Sequence, residues 1–164
     1  VLKSAPVDPL TYRNAMAEIA EAVHVVTTDG PAGRRGLTVT AFTSVSDKPA
    51  TVLVCLNRLN AHNDVFVVNG KFAVSTLGAQ HQRLAEAFSG KGDLDSVSRF
   101  RLGDWETLET GSPVLADAVA AFDCRLVESV DMATHRVLFG RVTGLRIGAS
   151  LSPLMYHRRG YRAG

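Results

Sequence analysis

Cysteine is scarce in this chain, and the short motifs that usually announce catalysis are missing. Among 164 residues there are 2 cysteines, Cys55 and Cys124, with no Cys-x-x-Cys pair. Both sit in apolar, strand-like runs, so they read as buried thiols in a reducing compartment and not as a disulfide. There is no Gly-x-Gly-x-x-Gly, which argues against a Rossmann cofactor site. Gly90-Lys91-Gly92 lacks the first glycine and the hydroxyl of a phosphate loop. His-Glu-x-x-His and Gly-x-Ser-x-Gly are missing too. The 5 histidines, His24, His62, His81, His135 and His157, have no metal-ligand spacing. A metal centre or a nucleophilic triad therefore has no support. Chemistry, if there is any, falls to a bound organic cofactor.

Charge of one sign is also lacking. The chain has 18 basic and 16 acidic side chains, a net charge of +2. That balance argues against nucleic acid or an anionic membrane as partner. Arg158 and Arg159 are adjacent, but two residues make no patch. No apolar run reaches membrane-span length. Val1 to Asp8 has no apolar signal core, so a cytoplasmic protein is expected. A hydrophobic fraction of 46% and a charged fraction of 21% are ordinary for a globular protein. The length suits one domain over 1–164.

Asp8-Pro9 reads as a helix start, an acidic cap before Pro at the first helical position. Tyr12, Met16, Ile19, Ala20 and Val23 recur at helical spacing, which predicts an apolar face lying on a sheet. Val23 to Thr28 reads as a strand, Asp29 to Gly33 as a turn, and the run from Gly36 as the partner strand. Lys48-Pro49 breaks the chain. Residues 51–57 are nearly all apolar, which predicts a strand buried on both faces. A polar loop (Arg58 to Asn63), a short helix (Asp64 to Val68), a strand (Lys71 to Leu77) and a second helix (Gln80 to Phe88) follow. Ser89 to Arg99 is loose, either a flap or a surface loop. Trp105 belongs to the core more readily than to a stacking platform. Trp105 to Leu108 reads as a short edge strand. Val119 to Val130 and His135 to Ile147 form two long strands, and Leu154 to Arg158 closes the set. Six or seven strands in hairpins predict an antiparallel barrel with peripheral helices.

The most distinctive stretch is Gly36-Leu37-Thr38-Val39-Thr40-Ala41-Phe42-Thr43-Ser44-Val45-Ser46. Leu37, Val39, Ala41 and Val45 alternate with Thr38, Thr40, Ser44 and Ser46. The polar side is short hydroxyls with no charge. It suits either a flat, uncharged polar ligand or an ordinary strand rich in β-branched residues. With Asp47-Lys48-Pro49-Ala50 and Thr51-Val52-Leu53-Val54-Cys55-Leu56-Asn57, the block resembles the short-chain flavin reductases, the small components of two-component flavin monooxygenases. The resemblance runs from about Tyr12 to about Tyr161. It implies a mainly β fold, the FMN-binding split barrel: six antiparallel strands in Greek-key order with peripheral helices.

The resemblance also assigns roles. Thr38, Val39, Thr40 and Ala41 line the flavin ring edge, largely through backbone groups, with Ser44 nearby. Cys55, Leu56 and Asn57 end a strand beside the ring and ribityl chain. Relatives carry Ser and Thr at the positions of Asn60 and His62, where the phosphate is gripped. Here Asn60, His62 and Asn63 supply other donors. Phe88 and Ser89 close over the tail. His135, before the apolar run Val137-Leu138-Phe139 and Gly140, is the catalytic candidate near the nicotinamide; a solvent-facing hairpin histidine is the other reading. Tyr156 and His157 touch the nicotinamide side or simply pack the last strand. The implied ligands are FMN or FAD and NADH or NADPH, and the implied partners are a flavin-dependent monooxygenase and a second copy of the chain. A non-catalytic flavin-binding module and a pyridoxamine-phosphate-oxidase-like flavoprotein are the alternatives. The latter needs a basic cluster that the sequence does not display.

Overall fold

A computed structural model describes residues 5–149 and 152–164. Helix α1 (Pro9–Ala17) starts as expected, with the Asp8 carboxylate accepting from the Thr11 amide at 2.9 Å. There follow β1 (Glu21–Ala22), β2 (His24–Thr28), β3 (Arg35–Val39), β4 (Phe42–Asp47) and β5 (Ala50–Asn57). A 3-10 turn at Ala61–Asp64 leads into α2 (Val65–Asn69), then β6 (Lys71–Thr76). Another turn, Ala79–His81, leads into α3 (Gln82–Phe88), followed by α4 (Ser96–Phe100). The chain finishes with β7 (Trp105–Thr107), β8 (Pro113–Leu115), β9 (Ala120–Met132), β10 (His135–Ile147), β11 (Leu154–His157) and β12 (Gly160–Ala163).

The main sheet is antiparallel and has seven strands, not six, in the order β3-β2-β6-β9-β10-β5-β4. Its edge strands, β3 and β4, are consecutive in the chain, joined by Thr40 and Ala41 alone. The sheet must therefore curl until its edges approach. The curl encloses Val26, Val39, Val54, Leu56, Phe72 and Leu138 in one core. No ladder joins β3 to β4 among the described residues, so the sheet is curled but open at that seam. A second core, with Val23, Val25, Leu84, Phe88, Phe100 and Leu154, lies between β2, α3, α4 and β11. Val25 and Val26 thus enter different cores, as period-2 alternation requires, and all five residues of β2 are buried.

Four expectations need correction. The run 36–46 is not one strand, because the ladder lapses at Thr40–Ala41, where the chain passes from one sheet edge to the other. Strand β5 alternates: Val52, Val54 and Leu56 are buried while Leu53 and Cys55 are half-buried. Helix α1 stops at Ala17, so Val23 leaves its face for the core; no α1 residue is buried, and Tyr12 stays 59% exposed. The loose stretch after Ser89 contains α4, capped by Asp95 accepting from the Ser98 amide at 2.7 Å.

His24 lies inside the fold, with Nδ1 3.0 Å from Thr76 Oγ1 and its ring 4.8 Å from that of Phe42. Burial pulls its pKa from 6.5 down to about 4. Unfolding lets the ring take a proton that the fold refuses. Stability is therefore full above pH 6.5 and falls as pH drops toward about 4. The loss is on the order of 3 kcal/mol. His24→Gln should flatten the urea-unfolding profile across that window.

Candidate flavin site

Strand β3 is an edge, so one row of its main-chain amides and carbonyls has no ladder partner. Helix α3 docks beside it by two contacts. Gly36 lacks a Cβ, which would stand 2.7 Å from Phe88 Cε1. Thr38 Oγ1 donates to the Ala85 carbonyl at 2.6 Å. Across from β3 stands the β11–β12 hairpin, whose Tyr156 and Tyr161 rings meet edge-on at 5.1 Å. Its turn holds Arg158 and Arg159 at φ 48° and 60°, the left-handed region most side chains avoid. Both are tied down from α1's end of the chain: Arg158 to Glu18 at 2.8 Å, and Arg159 to Asn14 at 2.6 Å.

Between these walls lies a cleft of ≈ 530 Å³, lined by Thr38, Val39, Thr40, Tyr156, Tyr161 and the end of α3. That volume is within the range of small-molecule sites. The Tyr161 hydroxyl has its pKa raised, chiefly by burial, so it remains a donor near neutrality. Beyond Thr38 and Ser89, which border both spaces, a second lobe of ≈ 310 Å³ opens. It is lined by Arg35, Arg99, Asn57, Asn60 and Asn63 and floored by Leu37 and Phe88. Asn63 is buried there: its Nδ2 donates to the Asn57 carbonyl at 2.8 Å, and its Oδ1 accepts from Arg35 Nε at 2.7 Å. One lobe is thus suited to a flat aromatic ring, the other to an anion.

A family model described as a flavin reductase like domain matches residues 16–164. The chain belongs to that family. It is 48% identical over 160 residues to a protein of Agrobacterium fabrum named FMN reductase (NADH) RutF, covering 98% of this chain and 91% of that one. The flavin reductase component BorF of a bacterial two-component tryptophan halogenase has a similar structure, with TM-score 0.87 and 29% identity over 95% of this chain and 98% of that one. The NADH:FAD oxidoreductase SgcE6 of Streptomyces globisporus, solved with NAD and FAD fragments, has TM-score 0.86 and 28% identity, covering 98% and 97%.

In this flavin reductase-like domain the residues singled out from sequence do not all converge. Val39, Thr40 and Tyr156 line the ring-sized lobe, Asn57, Asn60, Asn63 and Phe88 the cationic one, and Thr38 and Ser89 both. Ser44 lies elsewhere, in an apolar pocket with Phe42, Val52 and Phe122. Ala41 is exposed at the bend, its carbonyl accepting from the Cys55 amide at 3.0 Å. The half-buried Cys55 has its thiol pKa raised by burial, and Leu56 is buried in the core. His62 is exposed, with its amide donating to Asn60 Oδ1 at 3.1 Å. His135 is exposed and opposite Asn57 in the β10–β5 ladder, its Nδ1 2.9 Å from Thr134 Oγ1. Neither His135 nor His157 lines the two lobes.

Arg35, Arg99, Tyr161 and Arg159 were not picked out as site residues. No local pattern marks Arg35 and Arg99, because residues far apart in the chain meet only after folding. The sequence displays no basic cluster, yet the fold makes one from Arg35 and Arg99. Removing Asn63 tests how the lobe is held. Asn63→Ala leaves the Asn57 carbonyl and Arg35 Nε without partners and should lower stability by about 2–3 kcal/mol in urea unfolding.

Proposed function

We propose that the protein is an NADH-dependent flavin reductase that reduces FMN and passes it to a separate flavin-dependent monooxygenase. FAD and NADPH are the alternative substrates. The observation that carries the reading is the pairing of a ring-sized lobe on an edge strand with a cationic lobe for a tail. When bound, the flavin accepts a hydride from the nicotinamide, so that pair supplies the redox chemistry. The chain's own work is holding and orienting. The free main-chain row of β3 offers donors and acceptors to the polar ring edge. Tyr156 and Tyr161 form the facing wall and exclude water. His135, at the sheet end beside Asn57, is our candidate for the nicotinamide contact.

Two further parts of the reading concern setting. We infer that two copies pair through the outer face of β5, β10 and β9. Leu53, Cys55, Val137 and Phe139 share that face by register and are half-buried, and the adjoining Val130 is 37% exposed. Such an apolar face is unusual on a monomer. We assign the protein to the cytoplasm. Its two thiols are free, which suits a reducing compartment, and no described helix is long and apolar enough to cross a membrane.

Two measurements check these assignments. Purified protein with NADH and FMN in air should consume NADH in a flavin-dependent way, and His135→Ala should slow that at least about tenfold. FMN binding without any NADH oxidation would instead favour the non-catalytic module. Sedimentation should find a dimer in the wild type and a monomer in Phe139→Glu, since a charge in a dry interface is strongly unfavourable. A monomeric wild type would remove the pairing.

A further inference from the structure

The ring-sized cleft contains one side chain that flavin binding does not call for. Among the described residues, Glu86 is the only acid lining either lobe. A flavin brings an uncharged polar ring edge and an anionic tail, and a carboxylate attracts neither. Glu86 is nonetheless half-buried at the cleft, held in place from both directions along the chain. Gln82, one helical turn earlier, donates from Nε2 to Glu86 Oε1 at 3.2 Å. Lys91 reaches the same oxygen with Nζ at 3.1 Å. Lys91 comes from the loop after α3, where Gly90 and Gly92 take φ of 97° and 85° and turn the chain back. The hydrogen bonds from Gln82 and then Lys91 hold the Glu86 pKa below the usual carboxylate range, so the group is ionised near neutrality. Both bonds fall on Oε1, which leaves Oε2 for a ligand.

We propose that Glu86 makes the site select NADH over NADPH, by accepting from the ribose hydroxyls of the dinucleotide's adenosine half and repelling a 2′-phosphate there. The inference rests on the flavin reductase reading and names a specificity residue for it. Hydride transfer needs the nicotinamide against the flavin ring inside the cleft. The dinucleotide is much longer than that ring, so its adenosine half lies across the rim, where Gln82, Glu86, Lys91 and Arg159 gather. Arg159 and Lys91 are exposed cations and supply counter-charge for the pyrophosphate. NADPH differs from NADH by a phosphate on the adenosine 2′-oxygen, roughly 1.5 to 2 further negative charges. A carboxylate accepts from a ribose 2′-hydroxyl. Toward a 2′-phosphate the same carboxylate is a like charge, which is discrimination by repulsion. Lys91 does not relieve it, because a phosphate that captures Lys91 leaves Glu86 without its cation.

The test compares wild type, Glu86→Gln, and Glu86→Gln combined with Lys91→Gln. Each is assayed for kcat/KM with NADH and with NADPH at saturating FMN, and for binding of NAD+ and NADP+ by calorimetry, which needs no turnover. The wild type should prefer NADH and NAD+ by at least about tenfold. Glu86→Gln keeps the size of the side chain and frees Lys91 for a phosphate. It should raise kcat/KM for NADPH and the affinity for NADP+ by at least about tenfold. NADH should lose about two- to fivefold, mainly through KM, as a charged acceptor becomes a neutral one. In the double variant the NADPH gain should shrink to about threefold or less, because Lys91 is the group released. A wild type that uses NADH and NADPH equally overturns the selector. Equal weakening of both nucleotides in Glu86→Gln overturns it too, since Glu86 then only supports α3. In both cases FMN-dependent NADH oxidation leaves the reductase reading standing. If neither nucleotide is oxidised with FMN present, the reductase reading falls and binding alone decides. A preference for NAD+ that Glu86→Gln removes keeps the selector, and no preference removes it.

Discussion

Two residues, Thr40 and Ala41, connect strands that lie at opposite edges of a seven-stranded sheet. No flat sheet satisfies that link, because neighbouring strands lie about 4.8 Å apart and the sheet is seven strands wide. The sheet has to coil, and coiling creates the interior that Val26, Val54, Phe72 and Leu138 fill. The same link leaves β3 as an edge with main-chain groups facing outward. The cleft exists because that edge is covered by α3 and the β11–β12 hairpin, and not by another strand.

The cover is held by small, specific contacts. Gly36 admits the Phe88 ring, and Thr38 bonds the Ala85 carbonyl, so α3 cannot shift without losing both. At the far wall, two arginines in left-handed backbone are secured by Glu18 and Asn14. In the second lobe, beyond Thr38 and Ser89, Arg35 and Arg99 stand without a carboxylate partner among the described residues.

Much of the architecture was legible in order along the chain. Asp8 and Pro9 announced α1, the turn after Asp29 announced the β2–β3 hairpin, and the two long strands ending at Ile147 were readable from composition. The errors share a cause, which is that local pattern does not report what lies opposite. Residues 36–46 keep alternating through Thr40 and Ala41, so nothing local marks the jump between sheet edges. The apolar run of β5 predicted two buried faces, yet its Leu53 and Cys55 side is only half covered within one chain. Strand β12 follows a turn built on Arg158 and Arg159, which are not the residues that usually signal a hairpin. The hydroxyl row on β3 suited either a polar ligand or an ordinary strand, and only the fold shows that the hydroxyl of Thr38 donates to α3.

By itself, the sequence determined which segments extend, where most of them turn, and that no metal-ligand or nucleophile spacing is present. These follow from periodicity and residue chemistry, which act over a few neighbours. Only the tertiary structure decided that Thr38 and Thr40 face two tyrosines across a cleft, that Ser44 faces another pocket, and that Arg35 meets Arg99. Those juxtapositions depend on how β3, α3, α4 and β11–β12 pack around two cores, and a contact between distant residues leaves no mark in the residues beside either one.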